Sequence, residues 1–131
     1  MIALDTNVVV RVITRDDPAQ ARRAAALLRR EGLWLSKTVL LETEWVLRYT
    51  YEYDPPAIHR ALSMLVGLEN LTVEDRPAVE AAIEWQEEGV DFADALHLAS
   101  SGQATAFATF DQRLEKAAAG LTGAPRIELL R

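Results

Sequence analysis

The chain has 131 residues, a formal net charge of −6 and no cysteine. That length suits one domain spanning 1–131, and the missing cysteine excludes disulfides and thiolate metal sites. A mean hydropathy of −0.02, with no apolar run near the length of a membrane span, excludes disordered and membrane-spanning classes, and the acidic balance argues against a generic nucleic-acid-coating protein.

MIALDTNVVVRV opens the chain without a basic leader or a cleavage site. With the lack of cysteine, this leads to the expectation of a cytoplasmic protein with no membrane association. The apolar run IAL at 2–4 stops at Asp5 and predicts a buried strand. DDPAQARRAAALLRREG at 16–32 predicts a helix, with Pro18 in its first turn, the AAALL stripe facing inward, arginines facing out and Gly32 stopping it. LWL at 33–35 is a second strand. A second helix covers 36–53, with Ser36 as its cap and Asp54-Pro55-Pro56 as its end. AIHRALSMLVGL at 57–68 predicts a third helix and LTV at 71–73 a third strand. Pro77 opens a fourth helix over 78–89, closed by Gly89. VDFADALHLASSG at 90–102 reads as a fifth helix and ATAFATF at 104–110 as a fourth strand. DQRLEKAAAG at 111–120 gives a sixth helix and RIEL at 126–129 a last strand. Short apolar strands alternating with amphipathic helices predict an α/β fold, its parallel sheet covered on both faces. In such sheets ligands bind beyond the carboxyl ends of the strands, so residues just after strands come under suspicion first.

Positive charge is concentrated early. Residues 1–60 hold 9 Lys+Arg against 8 Asp+Glu, whereas residues 61–131 hold 5 against 12. Arg11, Arg15, Arg22, Arg23, Arg29, Arg30, Lys37, Arg48 and Arg60 all fall in the first stretch. Solvated helix faces and a phosphate-contacting surface are both open readings of them.

The acids separate when each is weighed against a local role. Asp5 directly follows the first strand. Capping is a weak motive there, because the chain runs into VVVRVI, whose β-branched residues are poor helix formers, so a functional role is preferred. Asp111 is a good cap for the helix it precedes, yet it shares with Asp5 a place at a strand's carboxyl end. On a helical wheel Glu42 is ringed by Val39, Trp45, Val46 and Tyr49, while Glu44 has Arg48 four residues on and reads as a surface pair. An inward carboxylate without a partner costs several kcal/mol unless protonated or metal-bound, so Glu42 is the acid that needs explaining. Asp91 fits an N-cap and Asp94 the first turn behind it, where negative charge suits the helix dipole. Asp94 is also flanked by apolar residues and is one acid more than the cap requires.

Asp5, Glu42, Asp94 and Asp111 are scattered in sequence, but an α/β sheet could gather them at one end. Four like charges need protonation or a cation. Oxygen donors without cysteine or a histidine pair select Mg²⁺ or Mn²⁺, whose natural chemistry is hydrolysis of a phosphodiester. His97 reads as a helix residue near the edge of the core and His59 as surface. The tryptophans and tyrosines read as core or partner surface. No Gly-Lys-Ser, GxGxxG or GxSxG run is present.

LDTNVVVR, VLLETEWVLR, DFADALHLAS and ATFDQRL, in this order, resemble the PIN-domain ribonucleases, and specifically the VapC toxins of toxin–antitoxin pairs. The resemblance spans nearly the whole chain. It implies a three-layer α/β/α domain with a central, mostly parallel sheet, and a catalytic and metal-binding quartet at Asp5, Glu42, Asp94 and Asp111. Thr6, Asn7 and Thr109 would orient the carboxylates or the metal water, with Asp91 an additional acid. It further implies an endoribonuclease dependent on Mg²⁺ or Mn²⁺, a homodimer, and inhibition by a VapB-type antitoxin. Arg11, Arg15 and Lys37 are then candidates for RNA contact. WVLRYTYEY and AIHRALSML are candidates for dimer or antitoxin contact, with core packing as a rival.

Two other readings differ in class. An aspartyl-phosphate phosphatase or receiver would use Asp5 as nucleophile, but Asn7 stands where its second acid belongs and Lys116 is the sole late lysine. A PIN-like binding module without catalysis is the other, and an intact acidic quartet speaks against it.

Overall fold

Short apolar runs become parallel strands, and the stretches between them become helices, throughout residues 1–131 of the computed structural model. Contacts group the chain into two compact units, Met1–Asp75 and Arg76–Arg131.

In the first unit, β1 (Ile2–Ala3), β2 (Leu33–Leu35) and β3 (Leu71–Val73) form a parallel sheet in the order β1-β2-β3. Ile2 lies opposite Leu33, and Leu33 opposite Leu71. Parallel neighbours need long crossovers, and here each crossover is a pair of helices. The first is α1 (Thr6–Thr14) with α2 (Pro18–Leu28), the second α3 (Lys37–Tyr49) with α4 (Pro55–Val66). α1 packs on both α2 and α3, and α3 also on α4. Val9, Leu33, Leu35, Leu40, Leu47 and Leu62 are fully buried, each contributing about 2 kcal/mol of hydrophobic stabilisation. Asn70 fastens the end of α2 to the approach to β3, donating its side-chain amide to the Leu28 carbonyl at 2.7 Å.

In the second unit, α5 (Arg76–Glu87) and α6 (Phe92–Ala99) pack together. β4 (Ala106–Thr109) and β5 (Arg126–Leu129) pair in parallel, with α7 (Gln112–Ala119) between them in sequence. Gly89 sits at φ 101, a left-handed conformation that releases the chain from α5 and lets Val90 N–H reach back to the Trp85 carbonyl at 3.1 Å. Val79, Ala82, Phe92, Ala95 and Leu98 are buried.

The α/β class and the parallel pairing hold for all five strands, whose hydrogen bonds fall into a three-stranded and a two-stranded ladder. Two helix expectations need correction. VVVRVI is helical, because Thr6, Val9 and Val10 recur at helical spacing and bury one face of α1; tertiary packing outweighs the modest propensity penalty of β-branched residues. Asp54-Pro55-Pro56 does not end a helix but begins α4, with Asp54 accepting from Ala57 N–H at 3.0 Å and the prolines in the first turn, where no N–H is missed.

Candidate active site

Asp5 closes the turn after β1 and caps α1. Its Oδ1 accepts from Thr6 N–H at 2.8 Å, and its backbone carbonyl accepts from the Val8 and Val9 N–H groups. The weak motive assigned to capping at Asp5 is thus overturned, for the same reason that α1 exists. Thr6 is 5% exposed, and its hydroxyl donates to Glu42 Oε1 across 36 residues of sequence. Glu42 is therefore held beside the Asp5 turn.

The reason given for singling out Glu42 does not survive. Glu42 is exposed and Glu44 is the buried acid, at 2% exposure. Buried positions of α3 are Leu40, Thr43, Glu44 and Leu47, whereas Trp45 and Tyr49 stand 55% and 59% exposed. Counting those aromatics as core turns the wheel the wrong way. Glu44 also is no ordinary surface pair: Arg48 Nη2 meets its Oε1 at 2.9 Å inside the fold, and the Arg48 guanidinium lies 4.9 Å from the centre of the Tyr49 ring.

In the second unit Asp91 is the cap of α6, its Oδ2 accepting from Asp94 N–H at 3.2 Å. Asp94 sits one turn in. Burial raises its pKa above the ordinary 3.8, and the charges of Asp91 and then Asp111 raise it further, against a smaller opposing effect of His97. Asp111 caps α7, its Oδ1 accepting from Arg113 and Leu114 N–H at 2.9 and 3.2 Å. Thr109 Oγ1 in turn accepts from Asp111 N–H at 3.0 Å and fixes the turn. Exposure reverses the expectation for the two histidines: His97 is exposed and His59 half-buried.

Among the cations expected to meet RNA, Arg11 and Lys37 are engaged with acids. Arg11 donates to Gln20 at 2.7 Å, to Tyr51 at 3.1 Å and to Asp16 at 3.2 Å, while Lys37 Nζ meets Asp75 at 3.0 Å. Arg15 is exposed at the left-handed end of α1, at φ 55. Asn7 is exposed and lines an open groove of about 460 Å³ between α1 and α2, with Val8, Arg11, Gln20, Arg23, Ala24 and Leu27.

The PIN domain family model matches residues 2–120. The chain belongs to the PIN domain family. No curated protein matches it. PIN domains are usually metal-dependent nucleases, so the donors here are to be tested against a divalent ion. No three Asp, Glu, His or Cys side chains stand close enough to form a metal-holding group. Donor chemistry nevertheless fits a hard cation: the candidates are all carboxylates, the chain has no cysteine, and Asp94 is destabilised as an anion first by burial and then by two neighbouring acids, the latter of which a cation would relieve.

Two predictions arise from this PIN domain. Asp111→Ala removes the acceptor for two N–H groups and should cost about 1 kcal/mol, whereas Asp111→Asn keeps a good cap and should cost only a few tenths. Equal losses in urea unfolding would refute the cap as the basis of Asp111's structural role. For Asp94 the folded chain keeps its proton to higher pH than the unfolded chain. Stability should therefore fall as pH rises from the ordinary aspartate value through the raised one. Asp94→Asn should remove that fall, so chelator-treated wild type and variant should converge at low pH, with the variant more stable at neutral pH. Unfolding curves that differ equally at all pH values would contradict this.

Proposed function

We propose that the chain is a Mg²⁺- or Mn²⁺-dependent endoribonuclease, the toxin of a VapBC-type toxin–antitoxin pair. In this reading it is a single PIN domain over 1–131, works in the cytoplasm as a homodimer, and is restrained by a VapB-type antitoxin. The PIN family match over residues 2–120 carries the reading, and the four acid-bearing segments that resemble VapC toxins support its finer part.

Asp5, Glu42, Asp94 and Asp111 are proposed as the catalytic acids and metal ligands. A bound ion would supply Lewis-acid activation of the phosphodiester and of the attacking water. Thr6 orients Glu42 through its hydroxyl, and Thr109 sets the turn that presents Asp111. Asp5 and Asp111 each bond backbone N–H groups through one oxygen, Oδ1, so Oδ2 is the oxygen proposed to face the ion. Asn7 and Asp91 are proposed to support the same chemistry. Exposed Trp45 and Tyr49 on α3, and exposed Met64 on α4, are proposed surfaces for the second copy or the antitoxin. No helix is long and apolar enough to cross a membrane.

The test is RNA cleavage with Mg²⁺, with Mn²⁺ and with chelator, on wild type and Asp5→Asn. Activity that survives chelation, or that survives loss of the Asp5 charge, would sink the reading. For the partner, co-expression with the product of a small neighbouring reading frame should give a stable complex that suppresses cleavage. Free cleavage in its presence would remove the antitoxin claim and leave the nuclease claim standing.

A further inference from the structure

Five of the 14 Lys and Arg side chains are matched to acids. Arg11, Lys37, Arg48, Arg76 and Arg126 all form ion pairs. On α2 and just past its end, four unmatched cations fall within nine residues. Arg22, Arg23, Arg29 and Arg30 are exposed, and their side chains make no hydrogen bond or ion pair. Of the nearby acids, Glu31 beside Arg30 is exposed and not ion-paired, while two others are used locally. Asp16 accepts from Tyr51 and Arg11, and Asp17 caps α2 by accepting from Gln20 N–H at 3.1 Å. A concentration of unpaired guanidiniums repels itself, stands out in a chain whose net charge is −6, and has the form expected of a surface for polyanions.

The placement gives this charge a direction. Ala21 and Ala24 are the buried side of α2, so the arginines are not needed for packing. Arg22 and Arg29, two turns apart, share a side of α2 about 10 Å apart along its axis. Arg23 belongs to the next row and lines the groove between α1 and α2 together with Asn7. Asn7 is two residues from Asp5. We propose that Arg22, Arg23, Arg29 and Arg30 form a track for the phosphate backbone of single-stranded RNA, which enters the α1–α2 groove past Arg23 and reaches the Asp5 turn at Asn7. The proposal rests on the nuclease reading and adds how the substrate is held. It replaces Arg11 and Lys37, whose charges are already matched, as the main phosphate contacts. Affinity along such a track is set by charge and not by base identity.

The test uses the full chain carrying Asp94→Asn, so that RNA stays intact, and a fluorescent oligouridylate titrated at several salt concentrations. Replacing all four arginines by Gln should lower the slope of log affinity against log salt by about 3 and weaken binding by about 10²-fold at moderate salt. Arg22→Gln with Arg29→Gln should lower the slope by about half of that. Arg76→Gln with Arg126→Gln makes the same change in net charge and should leave the slope unaltered. Equal effects of the two pairs would overturn the track, because net charge alone would then account for binding. Unchanged RNA affinity in the fourfold variant would also overturn it and would assign the patch to an acidic protein partner. Metal-dependent hydrolysis of a small phosphodiester by the wild-type chain reports the nuclease reading separately. If that succeeds while the arginine variants bind RNA normally, only the track fails; if wild type neither cuts nor binds, both fail.

Discussion

Asp94→Asn is expected to lower metal-dependent RNA cleavage by at least about 10²-fold, close to 3 kcal/mol of transition-state stabilisation. The side chain sits in the first turn of α6, but the hydrogen bond at that position is made by its backbone N–H to Asp91, so the substitution leaves the cap intact. What it removes is a carboxylate that burial and two neighbouring acids make unfavourable as an anion. A charge held against such resistance belongs with a counter-charge. Asp5→Asn should reduce cleavage similarly, because Asn can accept from Thr6 N–H in place of the carboxylate Oδ1. Single-turnover cleavage of a labelled RNA at saturating Mg²⁺ or Mn²⁺, with folding checked by circular dichroism, measures both variants. Wild-type rates in either folded variant would remove that acid from the proposed mechanism.

Arg48→Ala is expected to be the costliest of the charge deletions for the fold. Its partner Glu44 is 3% exposed at the side chain and Arg48 about a third exposed, at 32%. Taking away the arginine strips a buried carboxylate of its 2.9 Å ion pair and Tyr49 of its cation–π contact. Removing one member of a fully buried pair costs about 3–5 kcal/mol, and partial solvation of Arg48 reduces that to about 2–3 kcal/mol. The melting temperature should fall by roughly 5–10 °C. Arg76→Ala breaks an exposed pair with Glu80 at 3.3 Å and should change stability by less than about 0.5 kcal/mol. Urea unfolding of the two variants side by side checks the contrast, and a similar small loss in both would mean that the burial of Glu44 carries no energetic weight.

Much of this fold is legible in the amino-acid sequence. Leu33–Leu35, Leu71–Val73 and Arg126–Leu129 are strands where the sequence places them: LWL is a continuous apolar run, whereas LTV and RIEL alternate, with every second residue exposed. Asp91 and Asp111 are the caps their positions suggest. The failures share a cause. Reading VVVRVI as non-helical weighs local propensity, while the helix is held by packing on α2 and α3. Turning Glu42 inward assumes that aromatic residues mark the core, while Trp45 and Tyr49 stand outside. The Thr6–Glu42 hydrogen bond joins residues with no local relation in the chain, so no periodicity could announce it. Glu44 and Arg48 are visible as a pair four residues apart, but burial, which separates a minor surface pair from a structural one, is a property of the folded chain alone.

Asp5 and Asp111 are helix caps; if they are also the proposed catalytic charges, the genetic code opens an easy exit for a gene under pressure to fall silent. A single transition turns an aspartate codon into an asparagine codon, and asparagine caps a helix about as well as aspartate. Lineages escaping the activity should therefore accumulate Asn at residues 5 and 111 ahead of Ala or Val, and the disarmed chains should still fold and still engage whatever surface partners the active ones do.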